Sequence, residues 1–95
     1  METLGSAKNT IEILQKYHIS LQKKFGQNFL IDKNILEKIV DAAHVTANDC
    51  VLEIGPGIGT MTQYLAERAR NVIAVEVDKN LIPVLQDTLS SYNNV

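Results

Sequence analysis

Three glycines and a downstream glutamate have the types and spacing to bind a nucleoside. Gly55, Gly57 and Gly59 follow an apolar run and precede a helical pattern. Glycine lets the backbone turn sharply and a ligand approach closely, because it has no Cβ, and a helix that begins after such a turn directs free N–H groups at the ligand. Glu76 lies 21 positions after Gly55 (76 minus 55), close to the spacing of about 20 at which nucleotide-binding βαβ units place a ribose-binding carboxylate.

Details of the turn disfavour two common phosphate-binding sites. A dinucleotide-binding turn has its third glycine or alanine three positions after the second, and here that position is Thr60. A P-loop ends in Gly-Lys-Ser/Thr, and no lysine follows Gly59. Glu53, at the end of the preceding apolar run, would repel phosphate but suits a cation or an amine. These features favour S-adenosylmethionine, which combines an α-amino group, a sulfonium and a ribose.

Two strands and two helices must position these residues. Their patterns predict strands over Cys50 to Ile54 and Asn71 to Glu76, and helices over about Thr60 to Ala69 and Asn80 to Ser90. The second strand is apolar without clean alternation, which predicts a strand covered on both faces. Cys50 is expected to be a small buried apolar group. The predicted fold class is α/β, with helices followed by β-α-β-α and parallel strands.

The first 43 residues carry two further helical patterns. Residues 1–8 are expected to fray, and a helix is predicted over about Thr10 to His18. A second helix, capped by Asp32, is predicted over Lys33 to Ala43. Residues 19–31 between them are basic and amide-rich, and their spacing leaves open an ordinary surface loop or a segment that covers a ligand pocket.

Size and composition exclude several classes of protein. Ninety-five residues make at most one small domain, and a net charge of −2 is too small to indicate a partner. Cys50 is the only cysteine, so no internal disulfide can form and a reducing cytoplasm is the simplest location. No apolar run approaches the length of about 20 residues that a membrane span needs, and the N-terminus lacks a secretory signal pattern.

Two stretches resemble a known enzyme family. The glycine turn, with Glu53 and the segment Val75-Glu76-Val77-Asp78, resembles motifs I and II of class I S-adenosylmethionine-dependent methyltransferases. Residues 24–32, with Gln27-Asn28-Phe29-Leu30 at their centre, closely resemble the opening of the small-subunit rRNA adenine N6-dimethyltransferases. The related large-subunit enzymes of macrolide resistance share Gln-Asn-Phe-Leu and rank second. The resemblance covers about residues 23 to 85. It divides the chain into an N-terminal arm and helix (1–22) and an incomplete Rossmann-like cofactor domain (23–95).

The resemblance implies a set of residues that bind the cofactor. Asn28 would contact the methionine end of S-adenosylmethionine, and the backbone of Leu30 would do the same. Gly55 and Gly57 would pass under the amino-acid head and the ribose. Glu76 would accept both ribose hydroxyls, a strong charge-assisted geometry.

The resemblance also implies an activity and a partner. The family transfers methyl groups to N6 of two adjacent adenosines in small-subunit rRNA, so the expected partner is this RNA or the pre-30S particle. Lys23 and Lys24 could contact RNA phosphate, or they could form a solvated surface. The family's catalytic loop and its adenine-binding Asp would follow Val95, so no catalytic residue and no metal ligand are predicted here. A fragment of this kind is expected to be inactive. Alone, it would either self-associate through an exposed strand edge or be a truncated piece of a larger protein. A non-catalytic RNA-binding or ribosome-binding module is the alternative from another class. A nicotinamide-dependent oxidoreductase is disfavoured by Thr60 and Glu53.

Overall fold

A computed structural model describes residues 3–19 and 33–95 as four α-helices and a two-stranded sheet. In chain order the elements are α1 (Ala7–Lys16), α2 (Lys33–Ala42), β1 (Cys50–Ile54), α3 (Thr60–Arg68), β2 (Asn71–Val75), a 3-10 turn (Lys79–Leu81) and α4 (Ile82–Thr88). The predicted α/β fold class is confirmed. The predicted domain boundary after residue 22 falls outside the described residues.

The two strands are parallel, with Cys50 opposite Asn71 and Ile54 opposite Val75. Parallel neighbours require a crossover connection, and α3 provides it. Gly55 N–H donates to the Val75 carbonyl at 2.8 Å, so the pairing extends into the glycine turn. The carboxyl ends of both strands therefore meet at one edge, where the glycine turn and Glu76 follow them.

Helices cover one face of the sheet. Val51 and Val72 point toward a core that includes Leu36 and Val40 of α2 and Tyr64 of α3. On the other face Leu52, Ile54, Ile73 and Val75 are 64%, 71%, 56% and 45% exposed. The prediction that the second strand is covered on both faces is therefore wrong for the part of the chain described here, where the helices pack on a single side.

Cys50 is exposed, so the prediction of a buried cysteine is also wrong. The side chains of a strand alternate between its two faces. Cys50 therefore shares the uncovered face with Leu52 and Ile54, and proximity in sequence to a buried strand did not bury it.

The N-terminal segment is anchored rather than frayed from Thr3 onward. Leu4 is fully buried, and α1 begins at Ala7, because the Ser6 hydroxyl caps it by accepting from the Asn9 N–H. The predicted start of the helix at Thr10 was too late. The first residues of α1 lack the large apolar side chains whose spacing predicted the helix. Ile13 of α1 packs with Leu4.

The C-terminal elements differ from prediction in their bounds, since β2 ends at Val75 rather than Glu76 and the last helix ends at Thr88 rather than Ser90. The last helix is divided, because Pro83 lies in the first turn of α4 and the residues before it form the 3-10 turn. Asp78 caps that turn by accepting from the Asn80 N–H at 2.9 Å. Near the end of the chain the Asn94 carbonyl accepts from the Val72 N–H at 2.8 Å, a bond of the kind that a further strand beside β2 would make.

Among the described residues, no helix has the length and apolar character needed to cross a membrane.

Candidate cofactor-binding site

The glycine turn joins β1 to α3 through backbone conformations that L-residues rarely adopt. Gly55, Gly57 and Gly59 have φ values of +70°, +63° and +95°. The Gly59 N–H donates to the Pro56 carbonyl at 3.0 Å, and the Gly59 carbonyl accepts from the Gln63 N–H at 3.0 Å. The turn therefore leads directly into the first turn of α3, whose N–H groups have no partner within the helix.

Glu76 contacts the glycine turn directly. Its Oε1 accepts from the Gly57 N–H at 3.0 Å, and its Oε2 accepts from the Asp78 N–H at 3.0 Å. One half-buried carboxylate thus bridges the turn after β1 and the end of β2. The structure brings together three of the five predicted cofactor residues, Gly55, Gly57 and Glu76. The other two, Asn28 and Leu30, lie outside the described residues.

The space and the acceptor oxygens at this edge fit a ribose. Among the described residues, no atom lies within 4 Å of a Cβ built on Gly55, so that part of the chain leaves room for a ligand over the turn. A carboxylate oxygen has two lone pairs, and the described backbone bonds use one on each oxygen of Glu76. The remaining lone pairs can accept two hydroxyl groups.

Glu53 lies on the covered face of β1 and is held by α3. The Thr62 hydroxyl donates to its Oε1, a partner that the sequence pattern did not indicate. Burial raises the pKa of the Glu53 carboxyl above its ordinary value, and the bond from Thr62 opposes that shift. Binding of a ligand amine by Glu53 stays a prediction.

Two residues that the sequence analysis did not select support the turn from below. The Thr88 hydroxyl donates to the Ile58 carbonyl at 2.7 Å, and the Gln63 side chain donates to the Thr88 carbonyl at 2.8 Å. Gln63 and Thr88 are fully buried. The sequence feature that could have indicated these two residues is a polar side chain on the apolar face of each helix. Residue spacing alone, however, does not identify the buried group to which such a side chain bonds.

Two other features lie away from this edge. A cavity of about 460 Å³ flanks β2, lined by Ile73, Ile82, Leu85 and Val95 among others, and it includes none of the predicted cofactor residues. Within residues 3–19 and 33–95, no group of three or more His, Cys, Asp or Glu side chains could hold a metal ion.

A parallel β-α-β unit with a glycine turn after its first strand and a carboxylate after its second defines the class of Rossmann-like nucleotide-binding proteins. Comparison with known families is more specific. The family model described as ribosomal RNA adenine dimethylase matches residues 18–95, and the chain belongs to that family.

Curated relatives match the whole chain. It is 68% identical over 96 residues to ribosomal RNA small subunit methyltransferase A of Lachnoclostridium phytofermentans, covering 100% of this chain and 33% of that protein. It is 57% identical over 95 residues to the protein of the same name from Alkaliphilus oremlandii, with the same coverage of each chain. The chain therefore spans about a third of the length of the curated relatives it matches.

Solved structures match the same architecture. The crystal structure of the 23S rRNA methyltransferase ErmE has a TM-score of 0.66 and 40% identity, over 70% of this chain and 28% of that one. A dimethyladenosine transferase from Plasmodium falciparum has a TM-score of 0.63 and 36% identity, over 70% of this chain and 26% of that one.

Proposed function

We propose that the whole protein is an S-adenosylmethionine-dependent rRNA adenine N6-dimethyltransferase, and that the present residues form the front of its cofactor site. The reaction proposed is dimethylation of N6 on two adjacent adenosines of small-subunit rRNA. The observation that carries the proposal is the contact between the Glu76 carboxylate and the Gly57 N–H at 3.0 Å. It puts a hydroxyl acceptor directly beside a backbone that a ligand can approach.

Each of five residues has a proposed role in holding the cofactor. Glu76 accepts both ribose hydroxyls, and Gly55 and Gly57 give the ribose and the amino-acid head room over the backbone. Asn28 and the backbone of Leu30 hold the methionine end. When bound, S-adenosylmethionine supplies an electrophilic methyl group on its sulfonium. None of these residues is proposed as catalytic. The 95 residues alone are therefore expected to bind or orient the cofactor but not to catalyse methyl transfer.

The identity of the RNA has a second candidate. The 40% identity with a 23S rRNA methyltransferase supports a large-subunit rRNA adenine as the target. The 68% identity over the whole chain with a small-subunit methyltransferase favours small-subunit rRNA, with the pre-30S particle as the partner and the cytoplasm as the location. A non-catalytic module that binds RNA or the ribosome is the remaining alternative.

Calorimetry on the full-length protein tests the cofactor assignment. S-adenosylmethionine should bind the wild type, and Glu76→Ala should abolish measurable binding, because two hydroxyl acceptors and the partner of the Gly57 N–H are lost together. Glu12→Ala, an exposed glutamate on α1, is the matched control and should bind as the wild type does. Binding of NADH in place of S-adenosylmethionine would contradict the assignment.

Methyl transfer to purified RNA tests the reaction. The full-length protein with labelled S-adenosylmethionine should modify small-subunit rRNA and give N6-dimethyladenosine on digestion. Label in large-subunit rRNA alone would favour the second candidate. Cofactor binding without transfer to either RNA would favour the non-catalytic module.

We further propose that residues 1–95 expressed alone associate with a second copy. Leu52, Ile54, Ile73 and Val75 form an exposed apolar face. Within the described residues, β1 pairs with no strand other than β2, and such surfaces and edges favour association. Sedimentation should give a species larger than a monomer. A sharp monomer peak together with cooperative melting would count against self-association.

A further inference from the structure

We propose that a buried chain of hydrogen bonds between the N-terminal segment and the glycine turn sets the position of that turn. Thr88 and Gln63 are its central members, and both are positioning residues for the cofactor site. The chain of bonds links four separate parts of the fold: the turn, α4, α3 and the segment before α1. The link to cofactor binding rests on the function proposed above.

The first bond acts on the turn itself. Thr88 Oγ1 donates to the Ile58 carbonyl at 2.7 Å, and both residues are fully buried. Ile58 follows Gly57, whose N–H donates to Glu76. The peptide after Ile58 is fixed on its other side as well, because the Gly59 N–H donates to the Pro56 carbonyl. A shift of Thr88 would therefore move the Ile58–Gly59 peptide, which bonds to the Pro56–Gly57 peptide whose own N–H holds the carboxylate.

The next bonds pass through Gln63. Its Nε2 donates to the Thr88 carbonyl at 2.8 Å, and its Oε1 accepts from the Leu4 N–H at 2.8 Å. The Leu4 carbonyl accepts in turn from the Thr10 hydroxyl at 2.9 Å. Since both ends of the Gln63 amide are used inside the protein, its orientation is specified by α4 on one side and by the N-terminal segment on the other.

Burial gives this chain of bonds its influence on geometry. A buried polar group that loses its partner is costly, and fully satisfied buried networks specify one arrangement. Bulk water does not reach Gln63 or Thr88, since both are fully buried. The glycine turn therefore keeps its position only while α4, α3 and the segment before α1 keep theirs.

Apolar packing follows the same path. Leu4 and Ile13 form one buried cluster with Ile58 of the turn and with Leu81 and Val84. At the other side of the N-terminal segment, a Cβ built on Gly5 would overlap the Tyr64 hydroxyl. The residues before α1 thus fit closely beneath the glycine turn, and they act as part of its support.

The test uses Thr88→Val in the full-length protein, because valine keeps the shape of threonine and removes the donor to Ile58. We expect the Kd for S-adenosylmethionine to rise about tenfold, which corresponds to about 1.4 kcal/mol. Amide hydrogen exchange at residues 57–59, measured without ligand, should accelerate. Thr88→Ser keeps the hydroxyl and should restore both values to near those of the wild type.

A matched control separates positioning from general stability. Val40→Ala removes buried apolar volume from the α2 core, away from the chain of bonds, and should lower stability while leaving the Kd and the exchange at residues 57–59 unchanged. Thr10 is the last member of the chain of hydrogen bonds. Thr10→Val should also weaken S-adenosylmethionine binding, but less than Thr88→Val does. If Thr88→Val does not fold, Thr10→Val takes its place as the test variant.

The outcomes distinguish this inference from the proposed function. Unchanged Kd and unchanged exchange in the Thr88 and Thr10 variants would overturn the inference, and so would an equal loss of binding in Val40→Ala. If the wild type does not bind S-adenosylmethionine, the proposed function fails. Faster exchange in Thr88→Val would then still support control of the turn, and unchanged exchange would overturn it.

Discussion

The glycine turn has a glycine at each end, Gly55 and Gly59, and the two glycines have different roles. Gly55 has a φ of +70°, and no atom of residues 3–19 or 33–95 lies where its Cβ would be. Gly59 has a φ of +95°, and a built Cβ would be 2.8 Å from Thr88 Oγ1. Gly55 is exposed and Gly59 is buried. The first glycine leaves room for a ligand, and the second allows the turn to pack on α4.

This difference shows that a glycine pattern is a composite signal. The pattern Gly-x-Gly-x-Gly indicates a sharp turn with a close approach, but it does not say which glycine faces ligand and which faces protein. Substitutions at the two ends should therefore separate stability from ligand binding.

Gly59→Ala should have the largest effect on folding. Positive φ in a non-glycine residue costs about 1 to 3 kcal/mol, and overpacking a buried site adds about 1 to 3 kcal/mol. We expect the free energy of unfolding of the full-length protein to fall by about 3 kcal/mol, measured by chemical denaturation. Thr88→Ala in the same chain relieves the contact, so the double variant should lose less than the sum of the single changes. Additive losses would argue against the contact.

Gly55→Ala should separate the two properties. The left-handed conformation costs an alanine about 1 to 2 kcal/mol. No steric cost is added by the described part of the chain, none of whose atoms lies within 4 Å of the new Cβ. The new methyl group would occupy the space proposed for the ligand, so calorimetry should show S-adenosylmethionine binding weakened by more than the loss of stability explains. Wild-type affinity in this variant would mean that the ligand does not pass over Gly55.

Glu53→Gln should show an effect that depends on pH. Burial raises the pKa of Glu53 above its ordinary 4.5, so the folded protein favours the protonated carboxyl. The stability that this group contributes is fully present below pH 4.5 and is lost as pH rises through the raised pKa. The stability of the Gln variant relative to wild type should therefore increase from about pH 4 to pH 7, measured by denaturation across that range. A difference independent of pH would contradict a raised pKa.

Asp87→Asn should have the smallest effect. Asp87 Oδ2 accepts from Lys16 Nζ at 2.7 Å and from the Tyr17 hydroxyl at 2.5 Å, so it holds α1 to α4 on the packed side of the turn. The bond from Lys16, with that from Tyr17, lowers the pKa of Asp87 below its ordinary 3.8. This contribution to stability is present above pH 3.8 and is lost as pH falls through the lowered pKa.

The measurement is the difference in unfolding free energy between wild type and Asp87→Asn. It should be small, because the charged partner Lys16 is largely exposed, and it should shrink in high salt. A difference that persists in high salt and at low pH would mean that Asp87 supports α1 by some other contact.

Sequence patterns predicted the bounds of the helices and strands better than the burial of their side chains. β1 has the predicted bounds, and α3 begins at the predicted Thr60, because apolar runs and glycines act locally. The burial of Cys50 and the double covering of the second strand were wrong, since burial depends on which other elements pack nearby. Leu4 was expected to fray because its neighbours are small and polar, yet it binds Gln63, which is 59 positions away.

The sequence alone determined the order of strand, glycine turn and helix, and the 21-residue interval from Gly55 to Glu76, because these depend on neighbouring residues and on the repeat of a β-α-β unit. The tertiary structure decided that the Glu76 carboxylate reaches the Gly57 N–H, that Thr62 holds Glu53, and that the N-terminal segment supports the turn. These contacts join residues 9, 19 and 59 positions apart, and only packing brings them within hydrogen-bond range.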